Sequence, residues 1–135
     1  MKLDVYKKII RASAIYDLVV IFPFALPILA AWNINQIILL HEALSFSGSI
    51  STFDPIHLLF VNLMGSLILV WSALRLYKSD VIHGLFDSYI RISFSLLMVF
   101  YILNNDVTDV LWLFLLPDML WGIIQLYGYL KLEKS

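Results

Sequence analysis

The chain has 135 residues, of which 61% are hydrophobic and only 14% are charged, and its mean hydropathy is +0.89. Soluble globular chains are nearer half apolar and a quarter charged, so this composition excludes an ordinary soluble domain and predicts a protein surrounded by lipid. The net charge of −1 leaves no basic patch that would suit nucleic acid, and the absence of cysteine excludes disulfides and thiolate metal sites.

The first apolar run predicts a helix over about 5–32. It contains Pro23 and Pro27, which lack backbone N–H groups and so free carbonyls that must find partners inside the protein. The connection to the next helix is long. Apolar residues recur at helical spacing over about 34–46, which predicts a short helix lying in the outer membrane interface.

Three more membrane-spanning helices are predicted over about 55–77, 84–103 and 108–130. The second span has a clear start, with Asp54 as the N-cap and Pro55 at the first helical position. The sequence therefore predicts one all-α membrane domain over 1–135. It is a four-transmembrane-helix bundle with a short interfacial helix between helices 1 and 2 on the outer side.

The cationic residues fall on one side of this topology. They are Lys2, Lys7, Lys8, Arg11, Arg75, Lys78, Arg91, Lys131 and Lys134. Cytoplasmic segments of membrane proteins are enriched in Lys and Arg, so both termini are predicted to be cytoplasmic. The localisation expected from this pattern is the inner membrane of a bacterium.

Polar residues inside the predicted spans form the candidate ligand- or proton-binding site. They are Asp17, Asn62, Asp87, Arg91, Asp118 and Gln125, with Trp121 and Tyr129 as aromatic neighbours. Charges in hydrocarbon are costly when unpaired, which predicts ion pairs of Arg91 with Asp87 and with Asp17. Arg75 is interpreted as reaching toward water, with no role in the site.

Asp118 is the principal candidate for ligand or proton binding, because no basic residue is predicted at its depth. A carboxyl without a partner in a dry environment favours its neutral form and could exchange a proton. A purely structural explanation also exists. Ion pairs that only fasten the helices would account for Asp17, Asp87 and Arg91, and a protonated Asp118 could simply bond to Asn62.

The histidines give a weaker signal. His41 and His57 both lie at the predicted outer face near several carboxylates, where imidazole and carboxylate groups could hold a divalent metal. No tight ligand motif is present, and His57, one turn after Asp54, more often completes a helix N-terminus. Neither a metal nor a cofactor is predicted.

The size and number of spans resemble those of small multidrug-resistance transporters, which carry an essential acid in their first helix, where Asp17 stands here. The outline is also similar to DoxX-like four-helix membrane proteins. The long outer connection and the charges on helices 3 and 4 depart from the first group, and no diagnostic motif matches the second. No residue role is carried over from either group.

Three functions remain open. The favoured one is nonenzymatic binding or transport of a small ligand or ion, linked to protons through Asp118 and using a homodimer for any pathway. The second is an accessory or assembly subunit of a larger membrane complex. The third is a small intramembrane isomerase or lipid-modifying enzyme, with Asp118 as acid or base beside Tyr101, Trp121 and Tyr129. The partners expected are the bilayer and a small-molecule or lipid ligand.

Overall fold

The computed structural model describes residues 1–132, and within them the architecture is all-α, as predicted. The elements are α1 (Leu3–Ala25), α2 (Pro27–Ala43), α3 (Pro55–Tyr77), α4 (Val81–Asn104), a short 3-10 helix (Asp109–Leu111) and α5 (Trp112–Leu130). Three helices are long and apolar enough to cross a membrane, or up to four if the bent pair of α1 and α2 counts as one span. Lys134 of the predicted cationic set lies outside the described residues.

The chain bends by 102° between α1 and α2. Leu26, at the break, has extended torsions (φ −112°, ψ 128°), and Pro27 opens α2. The ring of a proline disfavours the helical conformation of the residue before it, which explains why α1 stops here, whereas Pro23 is tolerated inside α1. The predicted single helix over 5–32 is therefore wrong beyond Ala25. Residues 34–43 of the predicted interfacial segment belong to the longer α2.

Polar groups concentrate inside the bundle and apolar groups cover its outside. Helix α1 packs mainly along α3, α4 packs mainly along α5, and α1 also contacts α4 and α5. Among these helices Asp17, Arg75, Asp87, Arg91 and Gln125 are all buried. The exposed surface carries many large apolar side chains. This distribution is the reverse of that in a water-soluble domain.

Helix α3 supports the end of α1 at the break. Asn62 Nδ2 donates to the carbonyl of Phe24 at 2.9 Å, so it satisfies an acceptor that the broken helix leaves without a partner. Three residues later, Gly65 lets the two backbones approach so closely that a Cβ atom there would lie 2.7 Å from the Ala25 nitrogen. Specific contacts with α3 thus hold the bend in place.

The two connections that the sequence predicts to be on the outer side are tied together. Ser49 and Val107 form an isolated parallel bridge, in which Ser49 N donates to the carbonyl of Asp106 at 2.8 Å and Thr108 N donates to that of Ser49 at 2.9 Å. Gly48, at φ 84°, lies against the Val107 backbone with no room for a side chain. This outer clasp holds the connection between α2 and α3 against the one between α4 and α5.

Replacing Gly65 with alanine should destabilise the protein by about 1–3 kcal/mol, because the added methyl group would meet the backbone of α1 and not a flexible side chain. Thermal unfolding of the purified variant measures this loss. Ser66→Ala on the adjacent exposed position is the control and should leave the midpoint unchanged. A Gly65→Ala protein as stable as the control would show that the close approach is unimportant.

Candidate functional site

Two arginines and three aspartates meet in the middle of the bundle, and four helices supply them. Asp17 comes from α1, Arg75 from α3, Asp87 and Arg91 from α4, and Asp118 from α5. We call these five residues the Arg–Asp network. Charges removed from water are tolerated only when they are paired and hydrogen-bonded, and here every member contacts an opposite charge.

Arg75 links α3 to α1 and α4. Its Nη1 donates to Asp87 Oδ2 at 2.6 Å and to the Ser13 hydroxyl at 3.0 Å. Its Nη2 donates to Asp17 Oδ2 and, at 2.9 Å, to the Ser72 hydroxyl. The side chain is completely buried. The interpretation of Arg75 as a residue reaching toward water is therefore wrong.

Arg91 joins all three carboxylates. Its Nε donates to Asp87 Oδ2 at 2.9 Å, its Nη1 to Asp118 Oδ1 at 2.6 Å and its Nη2 to Asp17 Oδ2 at 2.6 Å. The predicted ion pairs of Arg91 with Asp87 and with Asp17 are confirmed. The expectation that Asp118 lacks a basic partner is wrong, because the long side chain of Arg91 reaches it from α4.

Neutral polar groups complete the surroundings of the network. The Trp71 indole donates to Asp87 Oδ1 at 2.7 Å, so Trp71 adds a neutral donor to the network. Gln125 Nε2 donates to the Ser13 hydroxyl at 2.5 Å, and that hydroxyl in turn accepts from Arg75. Gln125 therefore belongs to the same connected set as the charges, although it contacts none of them directly.

A cavity of about 160 Å³ opens beside the network, and Asp17, Asp87, Arg91 and Asp118 all line it. Within the described residues, Asp17 Oδ1 and Asp118 Oδ2 accept no hydrogen bond. These two carboxylates are also more exposed than their partner, at 18% for Asp118 and 10% for Asp17, against 4% for Arg91. The charge offered to the cavity is therefore negative.

A larger apolar groove of about 500 Å³ adjoins this cavity. The two spaces share four wall residues: Ile21, Ile68, Met98 and Phe114. The groove continues toward the outer clasp, where Ile50, Thr108 and Val110 line it. Together the cavity and groove offer one charged end and one long apolar end.

The remaining predicted site residues lie apart from the cavity wall. Asn62 bonds to Phe24, and not to Asp118 or Ser66. The Trp121 ring packs against Tyr16, with 6.1 Å between centroids, so it stands behind a residue of the cavity wall. Neither Tyr129 nor Tyr101 lines the cavity, and Tyr101 is 50% exposed. The aromatic pocket expected for an intramembrane enzyme does not form around Asp118.

The two outer histidines have structural partners. His57 and Asp54 form a capping box at the start of α3, which confirms the predicted N-cap and the helix-terminal role of His57. His41 Nδ1 lies 2.7 Å from the Thr108 hydroxyl and so braces the outer clasp. In residues 1–132 no three His, Asp or Glu side chains are grouped as a metal site would need.

The inward direction of Arg75 is a consequence of packing against α1, and no local pattern marks it on α3. The buried residues of α3 include Gly65, Ser72 and Arg75, and with Ile68 they follow intervals of three and four, the seam of a left-handed helix pair. The sequence-based prediction instead placed Asn62 in the candidate site, and Arg75 lies about 140° around α3 from Asn62. The buried face of α3 shifts around the helix along its length, so the two ends of α3 bury different faces.

Comparison with known proteins gives no match to a family model, to a curated protein or to a solved structure.

Replacing Arg75 with glutamine should lower the free energy of unfolding by about 3–5 kcal/mol, because Asp17 and Asp87 would share one guanidinium in a dry interior. Lys8→Gln is the control, since it removes one positive charge from an exposed position. Thermal and denaturant unfolding of the purified proteins measure the difference.

A double-mutant cycle shows whether the loss comes from the network. Arg75→Gln combined with Asp87→Asn restores the charge balance and should cost less than the sum of the two single changes. Strictly additive effects, or an Arg75→Gln protein as stable as the Lys8→Gln control, would contradict this description of the network.

Proposed function

We propose that the chain is an integral membrane protein whose bundle binds a small ligand beside the Arg–Asp network. The inside-out distribution supports membrane insertion. Buried charges lie among the helices, while side chains such as Val70 (70% exposed) and Leu103 (72% exposed) face outward. Exposing such helices to water would be costly, whereas lipid would cover them favourably.

The arrangement of the ends supports an orientation with both termini in the cytoplasm, and the membrane that we propose is a bacterial inner membrane. The Met1 amino group donates to the Lys131 carbonyl, and Arg11 donates to Ser79 at 2.8 Å, so the basic segments lie at one end. The outer clasp, with Asp106, lies at the other end. A basic end is the one retained in the cytoplasm.

The observation that carries the ligand proposal is the pair of acceptor oxygens, Asp17 Oδ1 and Asp118 Oδ2, on residues of the cavity wall. Three carboxylates face two guanidinium groups in the network, so its formal charge is −1 when all are ionised. All three guanidinium nitrogens of Arg91 already donate to carboxylates. The missing positive charge is supplied by a proton or by a cationic group.

The adjoining apolar groove suits a ligand that carries an apolar part in addition to its cationic group. A ligand with a positively charged end beside Asp118 would place an apolar body along Ile21, Ile68 and Phe114. Apolar pockets with a few placed polar groups are typical of small-molecule sites. The ligand class proposed is therefore a cationic amphiphile.

Proton linkage follows from the same charge balance. The empty site reaches neutrality when Asp118 holds a proton, and the cationic end of the ligand replaces that proton when it binds. This is exchange at one carboxyl, with Asp17 beside it and Arg91 fixing its orientation. Transport across the membrane would use two copies of the chain, because one slender bundle does not enclose a pathway.

Binding of dodecylamine, which is cationic at neutral pH, tests the proposal with the purified detergent-solubilised protein. Affinity should fall as the pH is lowered, because a proton then neutralises the carboxylate that the amine needs. Asp118→Asn should weaken binding about tenfold or more and remove this pH dependence. Isothermal titration calorimetry at several pH values measures both effects.

Two controls separate specific binding from partition into detergent. Dodecanoate has the same chain with an anionic end and should bind far more weakly. Asp4→Asn changes an exposed carboxylate outside the cavity and should bind dodecylamine like the unaltered protein. Equal binding of the two amphiphiles, or an unaltered affinity in Asp118→Asn, would reject the cationic site.

The saturation of the network favours one other function, an accessory subunit with purely structural charges. Except for Arg75 Nε, each guanidinium nitrogen of the network has a partner within the described residues. For such a subunit, Asp118→Asn would leave the assembly of a co-purifying membrane complex intact. If a stoichiometric complex is recovered and dodecylamine does not bind, the accessory-subunit function is supported.

A further inference from the structure

A second pocket lies at the basic end of the bundle, away from the Arg–Asp cavity. It has a volume of about 430 Å³ and lies between the start of α1 and the connection from α3 to α4. Its charged wall residues are Lys7, Arg11, Lys78 and Asp80. Three cations and one carboxylate give it a formal charge of +2.

One cation in this pocket is held in place by the protein. Arg11 Nε donates to the Ser79 hydroxyl at 2.8 Å, and that hydroxyl donates to the Arg75 carbonyl at 2.8 Å. Ser79 is 8% exposed, so this bond is well fixed. With Nε occupied, both terminal nitrogens of Arg11 have no partner among residues 1–132, and they form the fork that binds two oxygens of one anion.

The carboxylate in the pocket makes two long contacts, one to a helix N-terminus and one to a lysine of the pocket. Asp80 is the N-cap of α4, and its Oδ1 accepts from Ile82 N at 3.4 Å. Its other oxygen lies 3.8 Å from Lys78 Nζ, a long contact between exposed side chains. Asp80 therefore sets the edge of the pocket and only partly offsets the three positive charges.

We propose that this pocket binds a phosphate group, and that the phosphate belongs to an anionic membrane lipid. The fork of Arg11 with two flexible lysines suits the tetrahedral oxygens of a phosphate ester. The apolar wall residues Leu3 and Tyr77 are both exposed, and Tyr77 ends the exposed apolar face of α3, where acyl chains would lie. The lipid as the source of the phosphate rests on the membrane insertion proposed above.

Native mass spectrometry of the detergent-solubilised protein with palmitoyl-oleoyl-phosphatidylglycerol tests the site. We expect this lipid to bind at least fivefold more tightly than the zwitterionic phosphatidylcholine of the same chains. Arg11→Gln should lower its affinity about fivefold or more, the size expected for one cation at an anionic headgroup. Ser79→Ala should cause a smaller loss, because Arg11 keeps its charge and loses its anchor.

The matched control is Lys8→Gln. Lys8 is exposed, lies on the same helix at the same end and carries the same charge, but it does not line the pocket. Its replacement should change the affinity less than twofold. Equal losses in Arg11→Gln and Lys8→Gln would show diffuse attraction to a basic surface and would overturn the pocket, and thermal unfolding would confirm that both variants are folded.

Inorganic phosphate distinguishes the two sources of the ligand. If 10 mM phosphate leaves the phosphatidylglycerol affinity unchanged, the lipid assignment is supported. If phosphate binds in an Arg11-dependent manner while phosphatidylglycerol binds no better than phosphatidylcholine, the pocket binds soluble phosphate and the lipid assignment is overturned. Because the pocket is separate from the Arg–Asp cavity, neither result depends on whether dodecylamine binds near Asp118.

Discussion

Two buried guanidinium groups shared among three carboxylates determine how four helices of this protein meet. A buried charge is tolerated only with its partners in good geometry, so each helix must present its member at one depth and one rotation. Arg75 and Arg91 both donate to Asp17 and to Asp87, which makes these interactions mutually dependent. The helices are thus fixed by directional contacts, and the apolar residues cover the outside.

The same constraint explains the candidate site. The three carboxylates differ in how many of their oxygens accept hydrogen bonds. Asp87 accepts at both oxygens, whereas Asp17 and Asp118 each keep one oxygen without a partner within the described residues. These two residues also line the cavity. The groups that remain for a ligand are therefore the carboxylate oxygens that the contacts between helices leave without a partner. In the function that we propose, structure and binding are two uses of one network.

Much of this arrangement was predictable from the sequence, because buried charges allow few solutions. The spacing of Asp87 and Arg91 on α4, and the cost of leaving them unpaired, predicted both their burial and the approach of Asp17. The start of α3 was equally clear from Asp54 and Pro55, since their local chemistry alone fixes a helix N-terminus.

Two features could not be read from local pattern. The inward direction of Arg75 depends on how α3 winds around α1, which shifts the interior face along the helix. The end of α1 depends on which of two prolines breaks the helix, and contacts from Asn62 and Gly65 of α3 hold the last residues of α1, Phe24 and Ala25. Both depend on tertiary packing, and hydropathy carries no information about it.

The order of the network along the chain has a consequence for biosynthesis. Asp17 precedes Arg75 by 58 positions and Arg91 by 74, so its carboxyl leaves the ribosome long before either cation. Helix α3 then brings Arg75, α4 brings Asp87 and Arg91, and α5 brings Asp118 last. In a bilayer each newly inserted helix would be drawn to those already present by opposite charge, so insertion and folding of the four helices would proceed as one coupled event.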